Sequence, residues 1–349
     1  MSFSRLAPED FLVSSEAISS PLWTNGSPNL STFFTSSTQS NGSSGNYYLN
    51  VFQSSNTASI QFAIAYGNNA GSGSTVYDYN VDGYSPTSTI YGQWQDLTIG
   101  NAYTNFIFGA VTSSEFFALT MERACYKESL FLGSLALTIK NPLASSSGSI
   151  TLTDNSKYVS SVVYGPAGRV FQLISGSQGT KYTGSYTTSD GYSLNSGSYG
   201  WLLPDIGTII LNPLALACPT SSGGIGFLYS GSAYSGSAAY TPSTNANSQL
   251  YRAISASANF YLNSQESITS DYVFVRPRSS EFNYSENPSF ISGSTGEVLY
   301  SNFINNPQVY ITTVGLYNDS NQLLAVAKLS RPLLKDFTKE ALIRVKLDF

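Results

Sequence analysis

No lysine, arginine, aspartate or glutamate occurs between Glu16 and Asp78, and none between Ile206 and Tyr251. Across the 349 residues only 11% are charged, less than half of what a soluble domain ordinarily carries. Ser, Gly, Asn, Thr and Tyr take the place of charge, and the chain has 25 Tyr and 20 Phe. Flat, bulky aromatic rings pack well on a pleated surface and favour strands. Ser, Gly and Asn suit turns and uncharged exposed faces. The expected fold is therefore mainly β: multiple antiparallel β modules, a sandwich-like C-terminal module among them, preceded by an extended N-terminal arm. The length suffices for two or three domains, and the 41% hydrophobic fraction is ordinary.

Residues 1–45 read as the arm. A short amphipathic piece at Pro8–Phe11 leads into Ser-, Asn- and Gly-rich sequence that cannot bury enough apolar surface to fold alone. Phe3, Phe11, Trp23, Phe33 and Phe34 are out of place in a merely solvated tail, so they are the candidate protein-contact residues. Residues 46–270 form a central β region. Strands are expected at Tyr47–Phe52, Ala58–Tyr66, Phe106–Val111, Phe116–Met121, Leu130–Ile139, Ile150–Leu152, Val159–Tyr164, Arg169–Ile174 and Ile206–Leu211. Helix signals are confined to Pro213–Cys218, Ser248–Ser255 and a turn near Leu333–Leu342.

Residues 271–349 read as a distinct β module. Asp271–Arg276 is a strand stopped by Pro277. Val309–Tyr317 and Leu323–Leu329 flank the hairpin signal Asn318-Asp319-Ser320-Asn321. Ile343, Val345, Leu347 and Phe349 alternate with Arg344, Lys346 and Asp348, so one face of this strand is buried and the other wet. The surface chemistry also changes here, because the last 22 residues carry Lys328, Arg331, Lys335, Lys339, Arg344 and Lys346 with Asp336, Glu340 and Asp348 between them. That interleaving favours a solvated face over contact with nucleic acid.

The chain has no histidine, which removes the commonest general base, the commonest metal ligand and every Ser-His or Cys-His arrangement. The Gly-rich stretches Gly191–Gly200 and Gly223–Gly236 are interleaved with Ser and Tyr and lack a following Lys, so they read as loops and not phosphate cradles. The remaining route to catalysis is a glycosidase-type carboxylate pair drawn from Asp78, Asp82, Glu115, Asp154, Asp190 and Asp205, none of them in a recognisable motif. Asp78, Asp82 and Asp154 without a calcium loop read as turn formers. The expectation is no enzyme, no cofactor and no metal. Cys125 and Cys218 read as two small apolar thiols, with a single bridge the alternative. A net charge of −5 gives no basic field for nucleic acid. No apolar run reaches the length of a signal peptide or a membrane span, so no membrane insertion and synthesis in the cytoplasm are expected. The Tyr-rich stretches Tyr182–Tyr199 and Tyr229–Tyr240 are either hairpins whose rings pack across strands or a carbohydrate-binding surface.

Several blocks, in order from residue 60 onward, resemble a family of virion structural proteins of T4-like myoviruses, especially those of marine cyanophages. The first is QFAIAYGNNAGSGS (Gln61–Ser74) with IYGQWQDL (Ile90–Leu97), and the second FFALTMERACYKESLFLGSLALTI (Phe116–Ile139). In the second, Ala124-Cys125 and Phe131-Leu132 depart from the Arg-rich run typical of the family. ITLTDNS (Ile150–Ser156), GRVFQLISGS (Gly168–Ser177) and YGWLLPDIGTIILNPLAL (Tyr199–Leu216) make a third block. FNYSENPSF (Phe282–Phe290) and the run from Asn305 to Phe349 make a fourth. What the resemblance implies is a particle component. The tail end, in the baseplate or its peripheral attachments, is the favoured place, with the neck or collar the alternative and a head decoration third, and the symmetry of such parts argues for multiple copies in contact with other virion structural proteins. A low-charge, Tyr-rich surface suits such contact. The competing class is an adhesin-like module that recognises a host-surface glycan.

Overall fold

A computed structural model describes residues 3–35, 48–55, 58–71, 86–141, 148–227 and 246–348. The chain is mainly β and antiparallel, as its composition requires. It divides into two compact units, residues 18–266 and residues 1–17 with 267–349. In chain order the elements are β1 (Phe11–Pro21), β2 (Asn29–Leu30), β3 (Tyr48–Phe52), β4 (Ile60–Asn68), α1 (Pro86–Ile99), β5 (Phe106–Phe108), β6 (Val111–Ser113) and β7 (Glu115–Met121). Next come β8 (Ser129–Leu130), β9 (Ala136–Lys140), β10 (Ser149–Asp154), β11 (Val163–Gly165), β12 (Gly168–Ser177), β13 (Thr180–Lys181), β14 (Gly200–Leu203), β15 (Thr208–Leu211) and α2 (Pro213–Ala217). The last are α3 (Ala246–Ser255), β16 (Phe260–Tyr261), β17 (Asn263–Val275), α4 (Asn302–Asn305), β18 (Val309–Tyr317), β19 (Leu323–Lys335) and β20 (Ile343–Asp348).

The larger unit is organised by a long sheet in the order β2-β16-β9-β10-β12-β14-β15-β7-β4-β3. Its centre is buried on both faces. On β7, Phe117, Leu119 and Met121 enter one apolar cluster while Phe116 and Ala118 enter another. The one charge on β7, Glu115 at its start, is buried and accepts from the Tyr66 hydroxyl; a buried charge without a partner costs several kcal/mol, roughly.

The second cluster is roofed by α1, a helix absent from the expectations drawn above. Its buried positions are Thr87, Tyr91, Gln95 and Thr98, which follow the helical repeat but are mostly polar, so no apolar periodicity marks it. Hydrogen bonds replace apolar burial: Tyr91 Oη donates to the Ser113 carbonyl at 2.8 Å and Gln95 Nε2 to the Thr104 carbonyl at 2.9 Å. Burial pushes the Tyr91 phenol up to about 12.

Two expected strands are each interrupted. Phe106–Val111 is the hairpin β5–β6. Leu130–Ile139 is split into β8 and β9 at Gly133, whose positive φ of 72° suits glycine and whose N–H donates to both oxygens of the buried Asp154 carboxylate. Of the stretch Val159–Tyr164 only the end is strand. The helices at 213 and 246 match the two helix signals, whereas the turn expected near Leu333–Leu342 begins only after β19 ends at Lys335.

The smaller unit is a two-layer β sandwich. β17 pairs with β20 from Ser270↔Asp348 to Val275↔Ile343 and has β1 as its other neighbour. The β18–β19 hairpin supplies the second layer. Its turn is the expected Asn318–Asn321 segment, where Asn318 Oδ1 accepts from the backbone N–H of Ser320 and Gln322. Val273, Val314 and Val345 form the buried centre, flanked by half-buried Leu6, Leu316, Leu329 and Leu347.

Of the stretch 1–45 read as an arm, residues 3–17 belong to the smaller unit and residues 18–35 to the larger; 36–45 lie outside the described residues. Trp23 fixes the latter part. Its indole N–H donates to the carbonyls of Pro28 and Phe260, both at 3.0 Å, and its ring meets Phe260 edge-on at 4.9 Å. Trp23→Ala is expected to cost the larger unit about 3–5 kcal/mol. A urea titration followed by near-ultraviolet circular dichroism checks this. A loss below about 1 kcal/mol, the size of a surface substitution, would show that the indole holds nothing together.

Candidate protein-contact surface

The smaller unit buries little and exposes much. Along β19, Ala325, Ala327 and Leu329 point into the sandwich, whereas Leu324, Val326 and Lys328 point out. Leu324 is 68% exposed and Val326 58%. On β18, Tyr317 lies outward with its ring against the backbone of Gly315, where a Cβ would come within 2.9 Å of it. Phe3 meets Tyr317 edge-on at 5.2 Å, extending this apolar outer face with a residue from the start of the chain. Phe11, Leu12 and Val13 of β1, and Phe337 and Leu342 of the turn before β20, are also mostly exposed. A monomeric protein rarely leaves this much apolar side chain on one small unit.

Beside that face opens a cleft of about 630 Å³ lined by the apolar Leu6, Phe11, Val273, Leu316 and Leu347 and by the exposed Leu324. Asp271, Lys346 and Asp348 edge it. Lys346 and Asp348 pair at 2.9 Å, which holds the Asp348 carboxyl below and the Lys346 ammonium above their ordinary values. Arg344 and Lys346 both lie over the Tyr272 ring, 5.5 and 6.0 Å from its centre, so the wet face of β20 combines cation and aromatic.

The turns of this unit are held from within by Lys335. Its side chain is fully buried, and its Nζ donates to Asn283 Oδ1 at 2.7 Å and to the Ser279 and Asp336 carbonyls at 3.0 Å each. Three donors meet three oxygens, so one lysine ties the segment after β17 to the end of β19.

The five candidate contact residues divide. Phe3, Phe11 and Phe34 are exposed, and the Phe34 backbone forms a β-bridge with Phe52 in the larger unit. Trp23 is a core residue, and Phe33 packs half-buried against Phe62. The structure thus gathers Phe3 and Phe11 on the smaller unit and places Trp23, Phe33 and Phe34 in the larger. The outer faces of β18 and β19 were missed, although Leu323, Leu324 and Val326 beside a clear hairpin signal could have revealed them.

Three of the candidate acids have structural partners, and Asp190 lies exposed on a turn. Asp154 caps the Gly133 and Ser156 N–H groups, and Glu115 accepts from the Tyr66 hydroxyl at 2.6 Å. Asp205 accepts from the side chain and backbone N–H of Arg169. Partial burial opposes ionisation of Asp205, yet the Arg169 hydrogen bonds outweigh it and hold the carboxyl below its ordinary value. Asp78 and Asp82 lie outside the described residues, as does Tyr229–Tyr240. Among the described residues no cluster of three or more His, Cys, Asp or Glu could hold a metal ion, and no helix is long and apolar enough to cross a membrane. Cys125 and Cys218 are free thiols, half-buried, and burial with the nearby Glu122 pushes Cys125 up to about 11.

No protein family, curated protein or solved structure matches the chain.

Two outcomes follow from these contacts. Lys335→Met takes the Nζ donor from three oxygens, of which the Ser279 carbonyl keeps Asn283 Nδ2 and the Asp336 carbonyl keeps the Lys339 N–H; it is expected to destabilise the smaller unit by about 2 kcal/mol, read as an early transition in urea that the wild type lacks. Asp205, with its lowered folded pKa, contributes stability above the unfolded carboxyl value of 3.8 and loses it as pH falls through the folded value. Thermal melts of Asp205→Asn are therefore expected to lie below wild type at pH 7, with the gap closing under acid. A gap constant with pH would assign the pair no ionic contribution.

Proposed function

We propose that this chain is a structural component of a tailed-phage virion, joining or decorating tail and baseplate parts by protein–protein contact and catalysing nothing. One observation carries the reading: the smaller unit centres on three buried valines while its hairpin, its first strand and its last turn expose large apolar side chains. A unit of that size gains little from so small a centre, and contact with another protein supplies the missing burial. The apolar cleft, with Lys346 and Asp348 at its edge, offers such a partner both burial and orientation. Support also comes from the blocks that resemble T4-like virion structural proteins, which include the whole of β18, β19 and β20. In a ring-shaped tail, baseplate or neck every copy would use the same face, so a modest contact is multiplied by symmetry.

The test is incorporation into particles. Leu324→Glu with Val326→Glu alters two exposed side chains, one of them at the cleft, so the isolated protein is expected to keep its melting temperature within a few degrees. Phage carrying the pair are expected to lack the protein in purified particles. Normal copy number would remove this face from the interface. Cryo-EM of wild-type particles locates the chain at baseplate, neck or head, and its absence from all of them would overturn the reading.

A further inference from the structure

On the larger unit a second cavity, of about 320 Å³, is lined by Tyr182 and Tyr186 together with hydroxyl side chains and bare backbone. Both tyrosines are more than half exposed, so each presents ring surface to whatever enters. Thr183, Thr220, Ser149 and Ser175 contribute hydroxyls, each able to donate once and accept twice, while the Thr187 hydroxyl accepts from the Gly184 N–H and donates to the Tyr182 carbonyl. None of the described lining residues is Asp, Glu, Lys or Arg. The volume lies at the small end of ligand pockets, with room for a sugar ring and little more.

The cavity is pre-built. Gly223 and Gly224 form one wall, and neither tolerates a side chain. A Cβ on Gly223 would meet the Tyr186 carbonyl at 2.4 Å, and one on Gly224 would meet the Cys218 carbonyl at 2.0 Å. The buried Tyr199 hydroxyl donates to the Gly223 carbonyl at 2.6 Å and locks that wall. The opposite side is held by the Tyr182 N–H on the Ser175 carbonyl at 2.8 Å and by a bridge between Thr187 and Ser193. A rigid site loses little entropy on binding, which matters most for a small, weakly held ligand.

We infer that this cavity binds a neutral saccharide, a pyranose whose C–H face lies on the Tyr182 or Tyr186 ring while its hydroxyls bond to the threonine and serine hydroxyls. An uncharged lining offers no ion pair to a phosphate or carboxylate ligand. Aromatic rings beside neutral donors and acceptors match a molecule with one apolar face and a rim of hydroxyls. This property belongs to the larger unit and is separate from the contact face of the smaller one.

The experiment is saturation-transfer NMR on the full chain with the methyl glycosides of glucose, galactose, mannose, rhamnose and N-acetylglucosamine. Transfer is expected to the ring C–H protons of at least one of them. Tyr182→Ala or Tyr186→Ala is expected to weaken that binding about tenfold, a loss of about 1.4 kcal/mol. Tyr186→Phe keeps the ring and is expected to keep most of the affinity. Tyr103→Ala, at a fully exposed ring outside the cavity, is the control and is expected to change nothing. No transfer to any of the five, or equal loss from Tyr103→Ala, overturns the inference. Incorporation of Tyr182→Ala protein into particles is the separate readout: a failure there together with no sugar binding would make the cavity a protein contact.

Discussion

The fold of the larger unit depends on a sheet whose middle strands are covered from both sides. β7 alternates Phe116, Phe117, Ala118 and Leu119 between two apolar clusters, and β15 is buried along its whole length. No wet face remains there to carry charge. The uncharged sequence is thus a consequence of architecture, and polar loops with few ion pairs are what such a sheet leaves at its rim.

Where the wet face exists, the sequence was easy to read. The alternation from Ile343 to Asp348 marks β20 because one face is apolar and the other charged, and the hairpin between β18 and β19 follows from Asn and Asp at its turn. Where burial is satisfied by polar groups, it was not. α1 presents Thr87, Gln95 and Thr98 inward, and nothing in the residues alone says that a glutamine will find the Thr104 carbonyl. Gly133 breaking a continuous apolar run is the same difficulty, since its partner Asp154 lies 21 residues away.

The candidate surface was legible in part. Aromatic residues near the start of the chain are conspicuous, but aromaticity alone does not separate a ring that fills a core from one that lies outside. Trp23 is spent on Phe260 and Pro28, whereas Phe3 rests on Tyr317 and remains open to water. The cavity walled by Gly223 and Gly224 brings together residues from Ser149 to Gly224, so only the Tyr-rich character of its loop was visible beforehand.

The division of the chain between the two units bears on the order in which they arise during synthesis. All of the larger unit has been made once residue 266 leaves the ribosome. The smaller unit draws on residues 1–17 and on 267–349, and its sheet places β17 between a strand from the first segment and one near the last residue. Domains form as their residues emerge, at about 5–20 residues per second. The larger unit therefore has a head start of several seconds, while the first seventeen residues wait for β17 and β20. The exposed apolar faces of β18 and β19 therefore take shape last, because the layer behind them is incomplete until β20 has paired with β17.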